Sequence, residues 1–539
     1  MKYEQILKDF SWEKVREHYS GNPDGEFNMA YEACDRWAED PDRIAIYWED
    51  EKGNEDVWTY LRLKEKSDQM ANALRSLGIK KGERVAGLLG KDMELIITIL
   101  ATWKIGAIYV PLFTAFGPDA LAHRTSDSGI SLLLTNKEQS EKLGEININF
   151  QVLLIDEKRN GKTFWEYVNS HSKEFELEET KGLEPSIIQY TSGSTGLPKG
   201  SIAAHKGMYH LYPYLRYALD IDEGDVFFGA ADLGWSNGLM VCTFGPLSLG
   251  QKTIVYKGPF IPKQIFYILE KYQVTNFSYI PTAYRLMMAE GPEVLKDYDI
   301  KTRKFSSAGE PLDAEVVRYF KKHFGRAIYD HYGATEISMI LNNYNITDME
   351  VKPGSMGLPI PGFDVGLINE KGEEVEQGEV GQIALGIDGN FEFMGYWNNE
   401  KKAEEKIFGN WLLSGDLALQ DEDGYFWFQG RTDDVISSSG YRIGPTEVEA
   451  TLLEHPAVLE AAVVGKVDKI KGEIVKAFIV LNESYDPTEE LSSDLSKFVK
   501  SKLSKHQYPR EIEFIEELPK TQSGKTQRFI LRQLENIKS

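Results

Sequence analysis

The sequence predicts an α/β fold with a large N-terminal domain and a smaller C-terminal one. In the first half, strand-like apolar runs at 84–89, 107–110 and 130–135 alternate with helical-period segments such as 94–103. This alternation is typical of parallel βαβ units with helices on both faces of the sheet. The chain has 539 residues, of which 42% are hydrophobic, so more than one core is expected.

The pattern changes after about Pro353. Glycines there separate short apolar runs such as 365–368 and 382–385, as in strands joined by turns. We therefore expect the large domain to combine parallel-sheet βαβ subdomains with a β-rich subdomain.

The last hundred residues resemble a separate, small α+β unit. Residues 446–455 have helical spacing, and 461–464 and 475–481 have the composition of strands. A further helix takes its apolar stripe from Leu495, Phe498, Val499 and Leu503. We predict a large domain of residues 1–432 and a C-terminal domain of residues 433–539.

Composition excludes several classes of partner. The chain carries 61 basic and 84 acidic side chains, a net charge of −23, and an acidic surface repels a phosphate backbone. Nucleic acid is therefore not an expected partner. The only cysteines are Cys34 and Cys242, which fit neither a disulfide framework nor a thiolate metal site. They suit a reducing compartment, and we expect a cytoplasmic location.

No export signal or membrane span is expected. Residues 1–10 carry charges where a secretory leader needs an apolar core. The most membrane-like stretch, 95–113, is interrupted by Lys104, Gly106 and Pro111. It is better interpreted as a buried helix followed by a strand.

Residues 190–200 form the most informative segment. Two glycines and four serine or threonine residues precede Lys199 and a third glycine follows it, and such a loop can surround phosphate oxygens with backbone N–H groups. It is not a Walker loop, because Pro198 and Gly200 stand where Gly and Ser/Thr are required. No two glycines are separated by a single residue, so a Rossmann fingerprint is also absent.

This loop resembles the phosphate-binding signature of the AMP-forming acyl-CoA synthetase, luciferase and adenylation-domain superfamily. The resemblance continues, in order, along nearly the whole chain. Its further segments are residues 307–311, 332–336, 414–416, 430–434, 439–442 and 518–525.

The resemblance implies ligation of a carboxylic acid to coenzyme A through an acyl adenylate, with ATP and CoA as co-substrates and Mg²⁺ as cofactor. Lys525 is similar to the family's adenylation lysine, whose ammonium stabilises charge during transfer. Glu336 looks like the magnesium-holding glutamate, and Thr335 would bind the α-phosphate. The implied ATP- and AMP-binding residues are Thr191, Ser192, Gly193, Ser194, Thr195, Gly196, Lys199, Gly309, Glu310, Pro311, Asp330, Tyr332, Gly333, Thr335, Asp416, Arg431 and Arg442.

The resemblance also implies that the C-terminal domain is a mobile lid that rotates between two half-reactions. Asp433 matches the hinge position. Gly440 and Tyr441 would contact CoA, and Arg124 is a candidate for its 3′-phosphate. Relatives further suggest regulation by acetylation of Lys525, with a lysine acetyltransferase and deacetylase as partners.

Two residues indicate which carboxylic acid is the substrate. Acetate-specific relatives carry a tryptophan where this chain has Gly333, so we expect a larger acyl pocket, with Trp235 as one wall. Residues 231–235 and 279–285 resemble medium-chain acyl-CoA synthetases most closely. A medium-chain or short branched-chain fatty acid is therefore expected, with acetate, propionate or an aromatic acid as alternatives.

Two other functions remain as remote alternatives. Residues 234–238 fit the Gly-x-Ser-x-Gly pattern of serine hydrolases, with Ser236 as the nucleophile. A non-catalytic nucleotide-binding protein would keep the fold but lose the reaction. The presence of both Glu336 and Lys525 argues against that loss.

Overall fold

The computed structural model describes residues 2–144, 148–191, 198–347, 349–387, 391, 393–432, 434–438, 441–468, 472–503, 507–520 and 526–538. Within these ranges, the side chains of residues 437, 441, 442 and 536–538 are not described.

The strands are numbered in chain order. They are β1 (Ile44–Asp50), β2 (Glu55–Thr59), β3 (Arg84–Leu88), β4 (Ile108–Pro111), β5 (Leu132–Thr135), β6 (Gln151–Leu154), β7 (Pro185–Thr191), β8 (Lys199–Ala204), β9 (Val226–Gly229), β10 (Lys252–Lys257), β11 (Asn276–Tyr279), β12 (Lys304–Ala308), β13 (Ile328–Ala334), β14 (Ser338–Asn342), β15 (Leu358–Pro359), β16 (Val365–Ile368), β17 (Val380–Gly386), β18 (Ile407–Phe408), β19 (Trp411–Gln420), β20 (Phe426–Arg431), β21 (Ile436–Ser438), β22 (Tyr441–Ile443), β23 (Val458–Asp468), β24 (Gly472–Leu481) and β25 (Glu511–Phe514).

The α-helices follow the same order, and two π-helical segments, Tyr214–Ala218 and Asn237–Phe244, lie between them. The helices are α1 (Tyr3–Asp9), α2 (Trp12–His18), α3 (Met29–Ala33), α4 (Tyr60–Ser76), α5 (Met93–Lys104), α6 (Pro118–Ser128), α7 (Lys137–Ser140), α8 (Phe164–Asn169), α9 (Gly207–Pro213), α10 (Gly245–Ser248), α11 (Pro262–Lys271), α12 (Pro281–Ala289), α13 (Ala314–His323), α14 (Glu400–Glu404), α15 (Pro445–Leu453), α16 (Glu489–Lys502) and α17 (Arg528–Lys538).

Local sequence signals explain several helix boundaries. Thr59 caps α4 by accepting a hydrogen bond from the backbone N–H of Arg62, and Thr488 caps α16 in the same way. Thr163 and Glu166 form a capping box at the start of α8. Directly after the last residue of α6, Gly129 adopts a φ of 58°, the left-handed conformation that commonly ends a helix.

The described residues divide into two compact units. The first contains those within 1–192, 198–365 and 386–412, and the second contains those within 366–385 and 413–539. Compactness does not test motion, so the predicted lid boundary at residue 433 stays a prediction.

The first unit contains two sheets. One has the order β15-β14-β13-β12-β11-β9-β10-β1-β2, and the run from β13 to β1 is parallel throughout. The other has the order β6-β5-β3-β4-β7-β8, in which only β8 is antiparallel to its neighbour. The predicted α/β class and its parallel βαβ units are confirmed.

Helix α5 and strand β4 occupy the stretch that looked most membrane-like. They belong to the buried core of the first unit, where Lys104 is fully buried and its Nζ lies 2.7 Å from Asp35 and 2.5 Å from Asp68. In the part of the chain that the structure describes, every helix is too short or too polar to cross a membrane.

The second unit contains β16, β17, β19 and β20 in one sheet and β22-β21-β24-β23 with β25 in another. Strands β16 and β17 coincide with the two runs predicted after Pro353. Helices α15 and α16 pack on the second sheet through a core that includes Val448, Leu495 and Val499. The predicted small α+β architecture is therefore confirmed.

Candidate active site

The glycine-rich loop joins two antiparallel strands. Thr191 ends β7 and lies opposite Lys199, the first residue of β8, so these two residues mark the base of the loop. The predicted phosphate-binding residues between them, Ser192, Gly193, Ser194, Thr195 and Gly196, lie outside the described residues.

Glu336 lies next to this base. Its Oε1 accepts a 3.4 Å hydrogen bond from the Thr191 hydroxyl, so residues 145 positions apart in the chain are brought together. Thr335, the neighbouring residue, is exposed. Three of the predicted site residues, Thr191, Thr335 and Glu336, therefore share one location in the first unit.

Tyr396 is a fourth member of this group, and it lies outside the motifs that the sequence offers. Its phenol donates a 2.9 Å hydrogen bond to the same Oε1 of Glu336. Residue 396 also pairs with Ser201 of β8 in an isolated antiparallel bridge. No local motif signals this contact, because it depends on pairing between segments almost two hundred residues apart.

Lys199 completes the group. Its Nζ lies 5.3 Å from the centroid of the Tyr396 ring, within cation–π distance. The base of the glycine-rich loop therefore combines a carboxylate, two hydroxyl groups that donate to it, and a lysine next to one of the donors. This set suits an anionic ligand that brings its own cation.

The carboxyl ends of β12 and β13 carry the next predicted residues. The two strands are parallel, with Ser307 opposite Asp330, so Gly309, Glu310 and Tyr332 lie at the same edge of the sheet. This edge is where open α/β sheets bind ligands. Pro311, also predicted, follows at an exposed position.

Three buried polar atoms at this edge lack partners among the described residues. They are the Ser307 Oγ, Glu310 Oε1 and Asp330 Oδ1 atoms. Burial raises the pKa of the Asp330 carboxyl well above its ordinary range. A buried polar group without a partner costs free energy, so this edge is suited to a ligand with complementary donors and acceptors, as a nucleobase has.

Trp235 packs against Gly309. Gly309 has a φ of 99°, which favours glycine, and a β-carbon there would lie 3.1 Å from the indole Cη2. The glycine therefore allows the partly buried indole to approach the end of β12.

The expected free volume beside Gly333 requires correction. A β-carbon on Gly333 would collide with the carbonyl oxygen of Ser338 and would lie 2.8 Å from Met339 Sδ. Gly333 and Met339 are paired across β13 and β14 at an irregularity in the register. The space that the missing side chain leaves is thus filled by the neighbouring strand, and Met339 limits it.

The second unit carries a separate pair of predicted residues. Asp416 in β19 lies opposite Arg431 in β20, and the Arg431 Nη1 is 3.1 Å from Asp416 Oδ1. The Asp416 N–H donates a 3.0 Å hydrogen bond to the Ser414 hydroxyl. A largely buried carboxylate held in this way can accept hydrogen bonds from vicinal hydroxyls.

Several predicted residues cannot be placed. Lys525, Asp433 and Gly440 lie outside the described residues, and only the backbone of Tyr441 and Arg442, in β22, is described. The described residues that flank 521–525 are paired with each other: Lys520 pairs with Thr526, and the Gln527 N–H donates a 2.8 Å hydrogen bond to the Pro519 carbonyl.

Arg124 is buried rather than exposed to solvent. Its guanidinium stacks 3.9 Å from the centroid of the Phe116 ring, and its Nη1 donates to the Ala120 carbonyl. Desolvation lowers the pKa of Arg124 to about 10. These contacts favour a packing role, and its assignment to the CoA phosphate stays a prediction.

The hydrolase alternative does not fit the structure. A nucleophile elbow places the serine on a sharp turn directly between a strand and a helix. Here β9 ends at Gly229, several residues before Ser236, and a π-helical segment follows from Asn237.

Comparison with known proteins gives a consistent result. Residues 34–397 match the sequence family described as AMP-binding enzyme, and residues 447–525 match the AMP-binding enzyme C-terminal domain. The acetyl-coenzyme A synthetase of Bacillus subtilis is 38% identical over 98% of this chain and 94% of its own. The mitochondrial acyl-coenzyme A synthetase ACSM4 of Rattus norvegicus is 35% identical over 94% of this chain and 90% of its own.

Solved structures agree with these matches. An acyl-CoA synthetase of Brucella canis has 40% identity and a TM-score of 0.78, covering 100% of this chain and 99% of its own. A benzoate CoA ligase from Burkholderia xenovorans has 31% identity and a TM-score of 0.82, covering 94% of this chain and 100% of its own.

Proposed function

Because this chain belongs to the AMP-binding enzyme family and is an ATP-dependent acyl-CoA synthetase that works through an acyl adenylate, we propose that its acid is a medium-chain or short branched-chain fatty acid. The observation that carries this proposal is that the flexible Met339 side chain, rather than a rigid indole at position 333, fills the space beside Gly333, with Trp235 as a second apolar wall. A thioether adapts to acyl groups of several shapes, because its side chain is unbranched and flexible.

Acetate remains the second candidate for a specific reason. The Bacillus subtilis relative is named an acetyl-coenzyme A synthetase, and Met339 occupies space that would otherwise hold acyl carbon. An aromatic acid is the third candidate, because a structural relative is a benzoate CoA ligase.

A competition experiment tests which acid is the preferred substrate. The protein receives ATP, Mg²⁺ and CoA with equal concentrations of acetate, isobutyrate, octanoate and benzoate, and the acyl-CoA products are measured by mass spectrometry. We expect octanoyl- or isobutyryl-CoA to dominate at early times. Acetyl-CoA as the main product would contradict the proposal and identify acetate as the substrate.

We propose the following roles in adenylation. A carboxylate oxygen of the acid attacks the α-phosphorus of ATP, and pyrophosphate leaves. The loop from Thr191 to Lys199 holds phosphate oxygens, Thr335 binds the α-phosphate, and the Lys525 ammonium stabilises the charge that develops there. Replacing Lys525 with Ala should slow pyrophosphate release by about 100-fold. Thioester formation from added acyl adenylate should change far less.

Magnesium fits the groups around Glu336. The described residues contain no cluster of three or more His, Cys, Asp or Glu side chains suited to a metal. Mg²⁺ is commonly held by one or two carboxylates together with substrate phosphates, and Glu336 supplies one such carboxylate. When bound, the ion offsets the negative charge of the polyphosphate.

The nucleoside part of ATP is assigned to two further groups. We propose that Asp416 accepts hydrogen bonds from the ribose hydroxyls, with Arg431 beside it. Gly309, Glu310, Pro311 and Asp330 would border the adenine, and Tyr332 would stack on it. The unpaired atoms at the ends of β12 and β13 support the adenine assignment.

For the second half-reaction, we propose rotation of a lid domain, residues 433–539, against residues 1–432, with Asp433 as the hinge. Gly440 and Tyr441 would then border the CoA tunnel, Arg442 would hold the lid or a phosphate, and Arg124 remains a candidate for the 3′-phosphate. The CoA sulfur attacks the carbonyl carbon of the adenylate, and AMP leaves.

Two further proposals concern regulation of the protein and its location in the cell. Acetylation of Lys525 by a lysine acetyltransferase would remove the ammonium charge and block adenylation. Mass spectrometry that finds Lys525 unmodified in all growth conditions would contradict it. The two free, buried cysteines support a reducing, cytoplasmic location, which cell fractionation tests.

A further inference from the structure

We propose that Tyr396 is a positioning residue that fixes the Glu336 carboxylate so that its other oxygen receives the Mg²⁺ ion of MgATP. The inference rests on the proposed function, because it takes Glu336 as the magnesium ligand.

The two hydroxyl donors fall on one oxygen of Glu336. Tyr396 Oη lies 2.9 Å and Thr191 Oγ1 lies 3.4 Å from the same Oε1. Within the described part of the chain, Oε2 has no hydrogen-bond partner. Hydrogen bonds to Oε1 therefore orient the carboxylate, and Oε2 is left to bind a metal ion.

Tyr396 is itself held by the backbone. The segment around it runs beside β8, where the Ile202 N–H donates to the Gly395 carbonyl at 3.1 Å and the Trp397 N–H donates to the Gly200 carbonyl at 2.7 Å. The Tyr396 side chain is buried, with 4% exposure, and its ring contacts Phe393 edge to face. Its hydroxyl thus has one fixed position rather than a range of rotamers.

The phenol suits this task because it stays neutral. A tyrosine phenol ordinarily has a pKa of about 10, so its hydroxyl is protonated at physiological pH and can donate a hydrogen bond. A neutral donor orients the carboxylate without cancelling its charge, whereas a lysine at this distance would compete with the cation. Partners of this kind typically contribute about 10- to 100-fold to metal affinity.

The test compares three variants in the full-length protein. Tyr396→Phe removes only the hydroxyl, and Glu336→Gln removes the carboxylate charge. Tyr272→Phe is the matched control, because Tyr272 Oη donates a 2.7 Å hydrogen bond to a buried carboxylate, Glu49, on other elements of the same unit. Calorimetry without acid or CoA measures the affinity for ATP with Mg²⁺ and for ATP with EDTA.

We expect Tyr396→Phe to lower the ratio of the two affinities by about 10-fold or more, with metal-free ATP binding almost unchanged. Tyr272→Phe should leave the ratio at the wild-type value. In steady-state assays, Tyr396→Phe should also raise the Mg²⁺ concentration needed for half-maximal pyrophosphate release.

Two results would overturn the inference and leave Glu336 as the magnesium ligand. One is a wild-type ratio for Tyr396→Phe while Glu336→Gln lowers it. The other is equal weakening of ATP binding with and without Mg²⁺, which a general packing defect produces. An unchanged ratio for Glu336→Gln would instead show that Glu336 is not the magnesium ligand, and it would overturn that assignment and the inference together.

Discussion

Arg528 binds Glu449 through a two-pronged contact, with Nε 2.9 Å from Oε1 and Nη2 2.6 Å from Oε2. Its Nη1 also lies 3.2 Å from Asp434. Arg528 begins α17, three residues after Lys525, and Asp434 directly follows the predicted hinge residue. The start of α17 is therefore tied to α15 and to the β20–β21 connection by one side chain.

Loss of this side chain should destabilise the second unit. Arg528→Gln leaves the largely buried Glu449 carboxylate without its cation, which typically costs about 3–5 kcal/mol, whereas Asp434 keeps Arg532 at 2.6 Å. Arg528→Lys keeps the charge but not the planar fork, so its cost should be smaller. Urea unfolding monitored by circular dichroism measures both. Equal stability of Arg528→Gln and the wild type would contradict the expectation.

Asp416 should determine the preference for ribose. If its carboxylate accepts hydrogen bonds from the sugar hydroxyls, Asp416→Ala should weaken ATP binding by about 10-fold or more, since such bonds contribute about 1.5–3 kcal/mol. It should bind 2′-deoxy-ATP nearly as well as ATP. Fluorescence titration with both nucleotides checks this, and retained discrimination against the deoxy form would remove Asp416 from the ribose site.

Met339 should limit the size of the acid that the enzyme accepts. Met339→Ala removes the side chain that fills the space beside Gly333, so kcat/KM should shift toward longer or bulkier acids. Each methylene accommodated is worth about 1–3 kcal/mol of discrimination. Gly333→Ala is the contrasting variant, because its new methyl group would collide with Ser338 and lower activity toward all acids. An unchanged acid profile for Met339→Ala would place the pocket elsewhere.

Acid should destabilise the first unit through buried histidines. Burial lowers the pKa of His205, His210 and His331 to about 3, from an ordinary value of 6.5. Between these values the unfolded chain binds more protons than the folded one. Stability is therefore lost as pH falls below 6.5, with a limiting slope of about 1.4 kcal/mol per pH unit for each histidine.

Urea unfolding at pH 7 and pH 5 measures this slope. His210→Phe should remove its share, because a phenyl ring suits the contacts of His210 with Trp12 and Phe391 and carries no titrating group. A slope identical to that of the wild type would contradict the role assigned to His210.

The sequence predicted the layered fold well because hydrophobic periodicity is a local signal. The helix expected at 94–103 is α5, Met93–Lys104, and the run at 365–368 is β16. Pairing between distant segments is not local, and this explains why the sequence did not predict the roles of Tyr396 and Met339. Tyr396 reaches Glu336 only through the bridge to β8, and Met339 fills the space beside Gly333 only through the β13–β14 hairpin.

Transfer of oxygen from the acid to AMP tests the central claim most directly. The enzyme receives its preferred acid labelled with ¹⁸O in the carboxylate, together with ATP, Mg²⁺ and CoA, and the nucleotide product is analysed by mass spectrometry. In the adenylate route, the carboxylate oxygen that attacks phosphorus stays with the nucleotide when CoA breaks the carbon–oxygen bond. We predict AMP carrying one ¹⁸O atom. Unlabelled AMP, or ADP as the product, would contradict an acyl-adenylate mechanism.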